Sequence, residues 1–152
     1  MQDCHMGGVP AALFGALAVL AACVDDQQAL QSSDPAYTMV FFASDSVALS
    51  KRARDQLSDT VKNPTPPIKA ALQAESKARI CVSGHSDRTG PETINKEVAQ
   101  RRADAVAKYL VDLGVPQQRI VVSSLGSSRP LVVTAPNTPE VSNRRVEVVF
   151  GC

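Results

Sequence analysis

The pattern of apolar and polar positions beyond residue 36 alternates between strand-like and helix-like segments. Apolar residues between Asn95 and Leu113 recur at three- and four-residue spacing, which predicts a helix with one buried face. Gly114 suits the position just after such a helix, and Pro116 prevents the helix from resuming. Runs rich in β-branched or aromatic residues, typical of strands, occur at four places: 37–42 (YTMVFF), 79–84 (RICVSG), 119–123 (RIVVS) and 146–150 (VEVVF).

Two shorter helical segments are predicted between the first two strands. Ser50 is a suitable N-cap for a helix over 51–62, and a second helical piece covers 68–77. The intervening NPTPP cannot continue a helix, because each proline removes a donor and restricts the residue before it. The order strand, helix, strand, helix, strand, strand predicts an α/β (α+β) fold. We expect a βαβαββ two-layer sandwich, a mixed sheet with helices packed on one face.

The N-terminus has the features of an export signal. Val9 to Ala22 is an apolar run of 14 residues, short for a membrane span but the right length for a signal-peptide core. The run ends in Leu20-Ala21-Ala22-Cys23, which resembles the lipobox of bacterial lipoproteins and makes Cys23 the expected lipidation site. We therefore expect a signal segment at 1–23, a flexible polar tether at 24–36 and a domain at 37–152. A plain secretory signal or an uncleaved anchor is the alternative, since MQDCHM lacks the usual basic residues.

Composition argues against two classes of function. The net charge is +1 and aromatic residues make up 4% of the chain with no Trp, so neither a basic face nor a base-stacking platform for nucleic acid is expected. Only two histidines occur, one of them in the leader, so a Cys/His metal site is not expected and no cofactor is implied.

Cys81 and Cys152 are a possible disulfide pair if their strands are antiparallel neighbours in an oxidising compartment. A buried thiol at Cys81 and a free Cys152 are equally compatible with the sequence.

The segment GHSDRTG, at 84–90, places charged residues on the loop between a buried strand and the long helix. Asp87 lies on this loop, and Arg102 follows on the helix in one i, i+4 row with Val98 and Val106. Arg102 is therefore expected at the rim of the core, paired with Asp87 at the mouth of a strand–helix junction. Arg101 is turned about 100° away and is expected in solvent, off this crevice. A purely structural salt bridge between loop and helix is the alternative.

Four separate motifs resemble one family in the same order. The helix contains Asn95, Arg102 and Ala103 of the pattern N-x-x-L-S-x-x-R-A-x-x-V-x-x-x-L, and GHSD precedes it. Asp45-Ser46-x-x-Leu49 follows the first strand, and Asn-Arg-Arg-Val-Glu stands at 143–147. Over roughly residues 37–150 the chain resembles the OmpA-like peptidoglycan-binding domain, with Ala43-Ser44 in place of the family's usual Asp-Phe pair.

The resemblance implies a binding site for diaminopimelate, the zwitterionic cross-linking residue of the peptidoglycan stem peptide. It assigns ligand binding to Asp87 and Arg102, and the supporting pocket contains the following residues: Asp45, His85, Asn95, Asn143 and Arg145. By the residues alone, Arg144 or Arg145 could equally tie down the start of the last strand. The implied function is non-catalytic: the domain faces the periplasm, is anchored by lipid to the bacterial outer membrane, and tethers that membrane to the wall.

Two other functions remain compatible with the sequence. A periplasmic wall hydrolase would have only His85 and Asp87 as acid–base candidates, without a nucleophile or a carboxylate pair. A domain that docks envelope proteins would use the same fold without a wall ligand.

Overall fold

A computed structural model describes residues 36–74 and 78–152, which belong to one compact unit, Ser33–Cys152. The predicted signal segment, the lipidation site Cys23 and all but the last residue of the predicted tether lie outside the described residues. Within the described part of the chain, no helix has the length and apolar character needed to cross a membrane.

The domain is built on one four-stranded mixed sheet, which confirms the predicted fold class. The strands lie side by side in the order β1-β4-β2-β3. β1 and β2 each pair antiparallel with β4, whereas β2 and β3 are parallel. The strand bounds are β1 Tyr37–Phe41, β2 Ile80–His85, β3 Ile120–Gly126 and β4 Arg145–Phe150.

Three helices accompany the sheet: α1 Lys51–Lys62, α2 Pro66–Gln73 and α3 Glu92–Asp112. Ser50 caps α1 as predicted, since its hydroxyl accepts a hydrogen bond from the Ala53 N–H. α2 begins two residues earlier than predicted because proline is tolerated in the first turn, where its missing N–H would have no helical partner. α3 likewise begins at Glu92, three residues before the predicted Asn95.

The core lies between the helices and one face of the sheet. Alternate residues of β2 and β4 face α3, and the buried face of α3 is the predicted stripe. Gly84 of β2 lies so close to α3 that an added Cβ would stand 2.0 Å from the Ala99 carbonyl oxygen. A side chain at position 84 is therefore excluded by backbone, which cannot move aside.

Polar and aromatic side chains occupy the other face of the sheet. On this face His85 and Arg145 are buried, whereas Tyr37 and Phe41 at the β1 edge are exposed. The 127–144 loop, which joins β3 to β4, contacts this face through the hydrogen bond from Arg145 Nη2 to the Arg129 carbonyl, 3.2 Å long.

The chain end is joined to the start of β2. β2 and β4 are antiparallel neighbours, with Ile80 opposite Phe150. This register brings the Cα atoms of Cys81 and Cys152 to 6.0 Å, and the structure links them in a disulfide. The arrangement is the one that the sequence argument required for pairing.

Candidate functional site

Beyond the ends of β1 and β2, next to the start of β4, a crevice of about 340 Å³ opens. Its walls come from three loops or loop ends and from the first turns of α3. The side chains and backbone that line it belong to Ser44, Asp45, Val47, Ser86, Asp87, Thr89, Ile94, Asn95, Val98, Arg101, Arg102 and Arg144. Three of the sequence-predicted pocket residues, Asp45, Asp87 and Asn95, lie in this crevice together with Arg102.

Arg102 is the most deeply held charge of the crevice, with 2% of its surface exposed. Its Nε donates to the Ser46 carbonyl at 2.9 Å and its Nη2 to the Ala43 carbonyl at 3.1 Å. The guanidinium also lies 5.3 Å from the centre of the Phe42 ring, within cation–π range. Burial, followed by the charge of Arg144, lowers the pKa of Arg102, but an arginine stays protonated under all physiological conditions. The cation is thus fixed in position before any ligand arrives.

Asp87 is buried and pairs with Arg144, not with Arg102. Arg144 Nη1 donates to Asp87 Oδ2 at 2.8 Å, and the Thr89 hydroxyl donates to Oδ1 at 2.5 Å. Burial by itself raises the pKa of Asp87, but the hydrogen bonds from Thr89 and Arg144 outweigh it and hold the pKa below its ordinary value. The predicted Asp87–Arg102 ion pair is therefore wrong, because the backbone carbonyls of the β1–α1 loop occupy Arg102 instead.

Asp45 supplies a second carboxylate to the same crevice. It is exposed, and its backbone lies in the left-handed region with φ 52°. Asp and Asn tolerate this conformation better than other non-glycine residues. No salt bridge to Asp45 is formed among the described residues, so its carboxylate remains open to a ligand.

Three predicted pocket residues, His85, Asn143 and Arg145, do not line the crevice. Side chains alternate along a strand, so Arg145 and His85 point to the sheet face opposite the helices. Asn143 is fully buried and clamps the β3–β4 loop by two hydrogen bonds to the Val132 backbone, 2.8 and 2.9 Å long. The sheet therefore separates His85 and Arg145 from the crevice, because motif proximity in sequence does not specify the side of the sheet, and Asn143 reaches only loop backbone.

His85, Arg145 and Glu147 form a separate charged cluster under the β3–β4 loop. Arg145 Nη2 lies 2.7 Å from Glu147 Oε1, and His85 Nε2 lies 3.7 Å from the same oxygen. Burial and then the charge of Arg145 lower the pKa of His85, against the opposing effect of Glu147. His85 is therefore neutral in the folded domain near neutral pH.

Arg101 and Arg144 were misjudged from the sequence. Arg101 is exposed and paired with Glu97 at 2.5 Å, yet it lines the crevice, so the expectation that it lies off the crevice is wrong. Arg144 stands two and four residues before Val146 and Val148, whose side chains face the core. Because side chains alternate along a strand, this spacing predicts that Arg144 lies on the same side of the sheet as the crevice. Its Nε also donates to the Phe42 carbonyl at 3.3 Å, which holds the side chain against the β1 end.

The charge pattern suits a ligand that carries both signs. Three guanidinium groups, of which those of Arg102 and Arg144 are held in place by the fold, and two carboxylates meet in one cavity, supplied by four chain segments. A second groove of about 310 Å³, between α3 and β3, has only the exposed Asp104 and Lys108 as charged lining. Among the described residues, no group of three or more His, Cys, Asp or Glu side chains is arranged to hold a metal ion.

Comparison with known proteins places this geometry in a family. Residues 41–145 match the model of the OmpA family. The peptidoglycan-binding protein ArfA of Mycobacterium tuberculosis is 41% identical over 80 residues, which cover 53% of this chain and 24% of ArfA. The peptidoglycan-associated lipoprotein of Legionella pneumophila is 37% identical over 79 residues, covering 52% of this chain and 45% of that protein.

A solved structure gives the same fold. The peptidoglycan-associated lipoprotein from Burkholderia pseudomallei superposes with a TM-score of 0.61 at 25% identity, covering 73% of this chain and 87% of that one. The chain spans from about a fifth to a little over half of the length of the curated relatives it matches. Because the family model matches well over half of its residues, the chain belongs to the OmpA family.

Proposed function

We propose that this domain binds peptidoglycan without catalysis, by holding the diaminopimelate of the stem peptide in the crevice. The observation that carries the proposal is the joint presence of two fixed guanidinium groups and two carboxylates around one cavity open to solvent. Within the stem peptide, diaminopimelate keeps a free carboxylate and a free ammonium at its side-chain end, so it complements both signs. The named functions of ArfA and of the peptidoglycan-associated lipoproteins support the same ligand class.

The guanidinium groups have donors to spare for a ligand carboxylate. Arg102 uses two of its five N–H groups on backbone carbonyls, so three remain. A planar guanidinium meets a carboxylate through two parallel hydrogen bonds, each charge-assisted bond contributing about 1.5–3 kcal/mol. Arg144 lines the same cavity and adds a second fixed positive charge, while its bond to Asp87 keeps the loop in place.

The ammonium group is assigned to the carboxylate side of the crevice. Asp87 accepts four hydrogen bonds, from the N–H and hydroxyl of Thr89, from Arg144 and, at 3.4 Å, from the Glu140 N–H, which occupy its about four acceptor positions. The open carboxylate of Asp45 is therefore the acceptor for the ligand ammonium, and Asp87 contributes its negative charge to the same crevice. Asn95, whose side-chain amide contacts the Gly90 carbonyl at 3.4 Å, steadies the loop that carries Asp87.

Sedimentation with purified sacculi tests the proposal. Asp87→Asn removes the charge with little change of shape, and Arg102→Lys keeps the charge but loses the fork of donors. Both variants of the unit Ser33–Cys152 should lose most of the sedimenting fraction while keeping the circular dichroism of the parent. The matched controls are Asp104→Asn and Arg52→Lys, exposed residues outside the crevice, which should sediment like the parent.

A competition experiment defines the ligand. A soluble stem peptide that contains diaminopimelate should displace the domain from sacculi, whereas the same peptide with lysine at that position, which lacks the side-chain carboxylate, should compete poorly. Unchanged sedimentation of both crevice variants, or equal competition by the two peptides, would contradict the assignment.

We further propose that Cys23 is lipidated and anchors the domain to the outer membrane, so that the protein links membrane and wall from the periplasm. The support is the Leu20-Ala21-Ala22-Cys23 motif, together with relatives that are named lipoproteins. Cys23→Ser should abolish incorporation of radioactive palmitate and leave the precursor unprocessed. Normal labelling of this variant would refute the anchor and leave the binding proposal untouched.

A further inference from the structure

Part of the crevice wall is apolar, which the charged groups of a zwitterion do not explain. Ile94 and Val98 come from α3 and Val47 from the β1–α1 loop, and all three line the cavity beside the charged groups. Ile94 is 52% exposed and Val47 39% exposed. A single exposed aliphatic side chain needs no explanation, but three that share one cavity wall form a surface suited to an apolar group.

The apolar side chains of α3 lie in register with the buried cation. Ile94, Val98 and Arg102 are four residues apart, so they form one row along the helix. At 1.5 Å per residue the row is about 12 Å long, and it passes from the exposed Ile94 to the buried guanidinium. The row therefore leads outward from the site where the ligand carboxylate is held.

The length of the row sets the size of the ligand. An extended peptide spans about 3.3–3.6 Å per residue, so a row of about 12 Å faces three or more residues. A diaminopimelate residue held at Arg102 covers the inner part of the row with its methylene chain. The outer part of the row is left for a neighbouring residue of the same peptide.

We propose that Val47, Ile94 and Val98 form an alkyl subsite that contacts the methyl group of the alanine adjoining the diamino acid. The inference rests on the proposed function and deepens it: the domain recognises a stem peptide rather than an isolated diamino acid. The small aliphatic side chains match a methyl group in size, and the charged groups fix the end from which the peptide extends.

Two matched peptides test the subsite. One carries alanine after diaminopimelate, and the other carries glycine at the same position, so they differ by one methyl group. In calorimetric titrations of the unit Ser33–Cys152, the alanine peptide should bind about fourfold more tightly than the glycine peptide, because one methyl group is buried. Ile94→Asn should reduce this ratio to about one, whereas both peptides should still bind.

Val111→Asn is the control, since Val111 is an apolar residue exposed on the same helix but outside the crevice, and it should keep the fourfold ratio. Equal affinities of the two peptides for the parent domain, or a ratio that survives Ile94→Asn, would overturn the subsite and leave the zwitterion site standing. No binding of either peptide, with Asp87→Asn indistinguishable from the parent, would overturn both proposals. Circular dichroism of Ile94→Asn confirms that the comparison concerns folded protein.

Discussion

Removal of the Cys81–Cys152 link is expected to destabilise the domain substantially. The two cysteines are 71 residues apart, so the bond closes a large loop in the unfolded chain. The chain-entropy relation for a loop of this size gives about 4 kcal/mol of stabilisation. Domains are stable by only about 5–15 kcal/mol, so the change Cys81→Ser with Cys152→Ser should remove a large share of the free energy of unfolding.

The folded state itself should change little in this variant. The Gly151 N–H donates to the Arg79 carbonyl at 2.8 Å, and Ile80 lies opposite Phe150 in the sheet. These backbone contacts hold the chain end beside β2 without help from the sulfurs. The loss of stability therefore arises from the greater freedom of the unfolded chain rather than from altered native packing.

Urea denaturation followed by far-ultraviolet circular dichroism measures the effect. The oxidised parent and the double serine variant are compared, and reductant should lower the parent to the level of the variant while leaving the variant unchanged. Intact mass of the oxidised parent should be lower by two hydrogen atoms than after reduction. Free energies of unfolding that agree within about 1 kcal/mol, or two alkylatable thiols in freshly exported protein, would refute the reasoning.

Three other changes have expected outcomes. The pKa of His85 is lowered in the folded domain, so the unfolded state binds more protons below about pH 6.5. The free energy of unfolding should therefore fall as the pH drops from about 6.5 through the folded pKa. His85→Gln should flatten this dependence when it is measured by urea denaturation at several pH values. Gly84→Ala should cost about 3 kcal/mol, because the new Cβ meets the Ala99 carbonyl; a thermal melt like that of the parent would contradict the close approach. Asn143→Ala should cost about 1–3 kcal/mol by leaving the Val132 backbone without its partners, and unchanged amide exchange at Val132 would speak against the clamp.

The elements of the fold were predictable because their signals are local. The stripe of α3, the Ser50 cap and the turn after Gly114 each depend on residues within a few positions of one another. Gly114 has φ 98° and ends the helix as predicted. The pairing of β4 between β1 and β2 depends on the whole chain, and only its consequence for Cys81 and Cys152 was anticipated.

The sequence predicted which residues belong to the site better than it predicted the contacts that they make. Helical periodicity places Arg102 at the end of the core, but a sequence cannot reveal that its partners are the backbone carbonyls of Ala43 and Ser46. Because every residue has a backbone carbonyl, the unusual Ala43-Ser44 pair still provides the hydrogen-bond acceptor for Arg102 at Ala43. The sequence did contain the signal that tells Arg144 from Arg145. The alternation of side chains along β4 decides which of the two arginines faces the crevice.

The crevice and the start of the domain lie at opposite ends of β1. β1 begins at Tyr37, beside the chain end, where the Phe150 N–H donates to the Ala36 carbonyl at 2.7 Å. It ends next to Phe42, whose ring and carbonyl contact Arg102 and Arg144 of the crevice. Five residues of strand at about 3.4 Å each separate the two ends by about 17 Å. A ligand in the crevice therefore lies at the end of β1 opposite to Tyr37, close to the start of β4 and far from the disulfide that ties down the chain end.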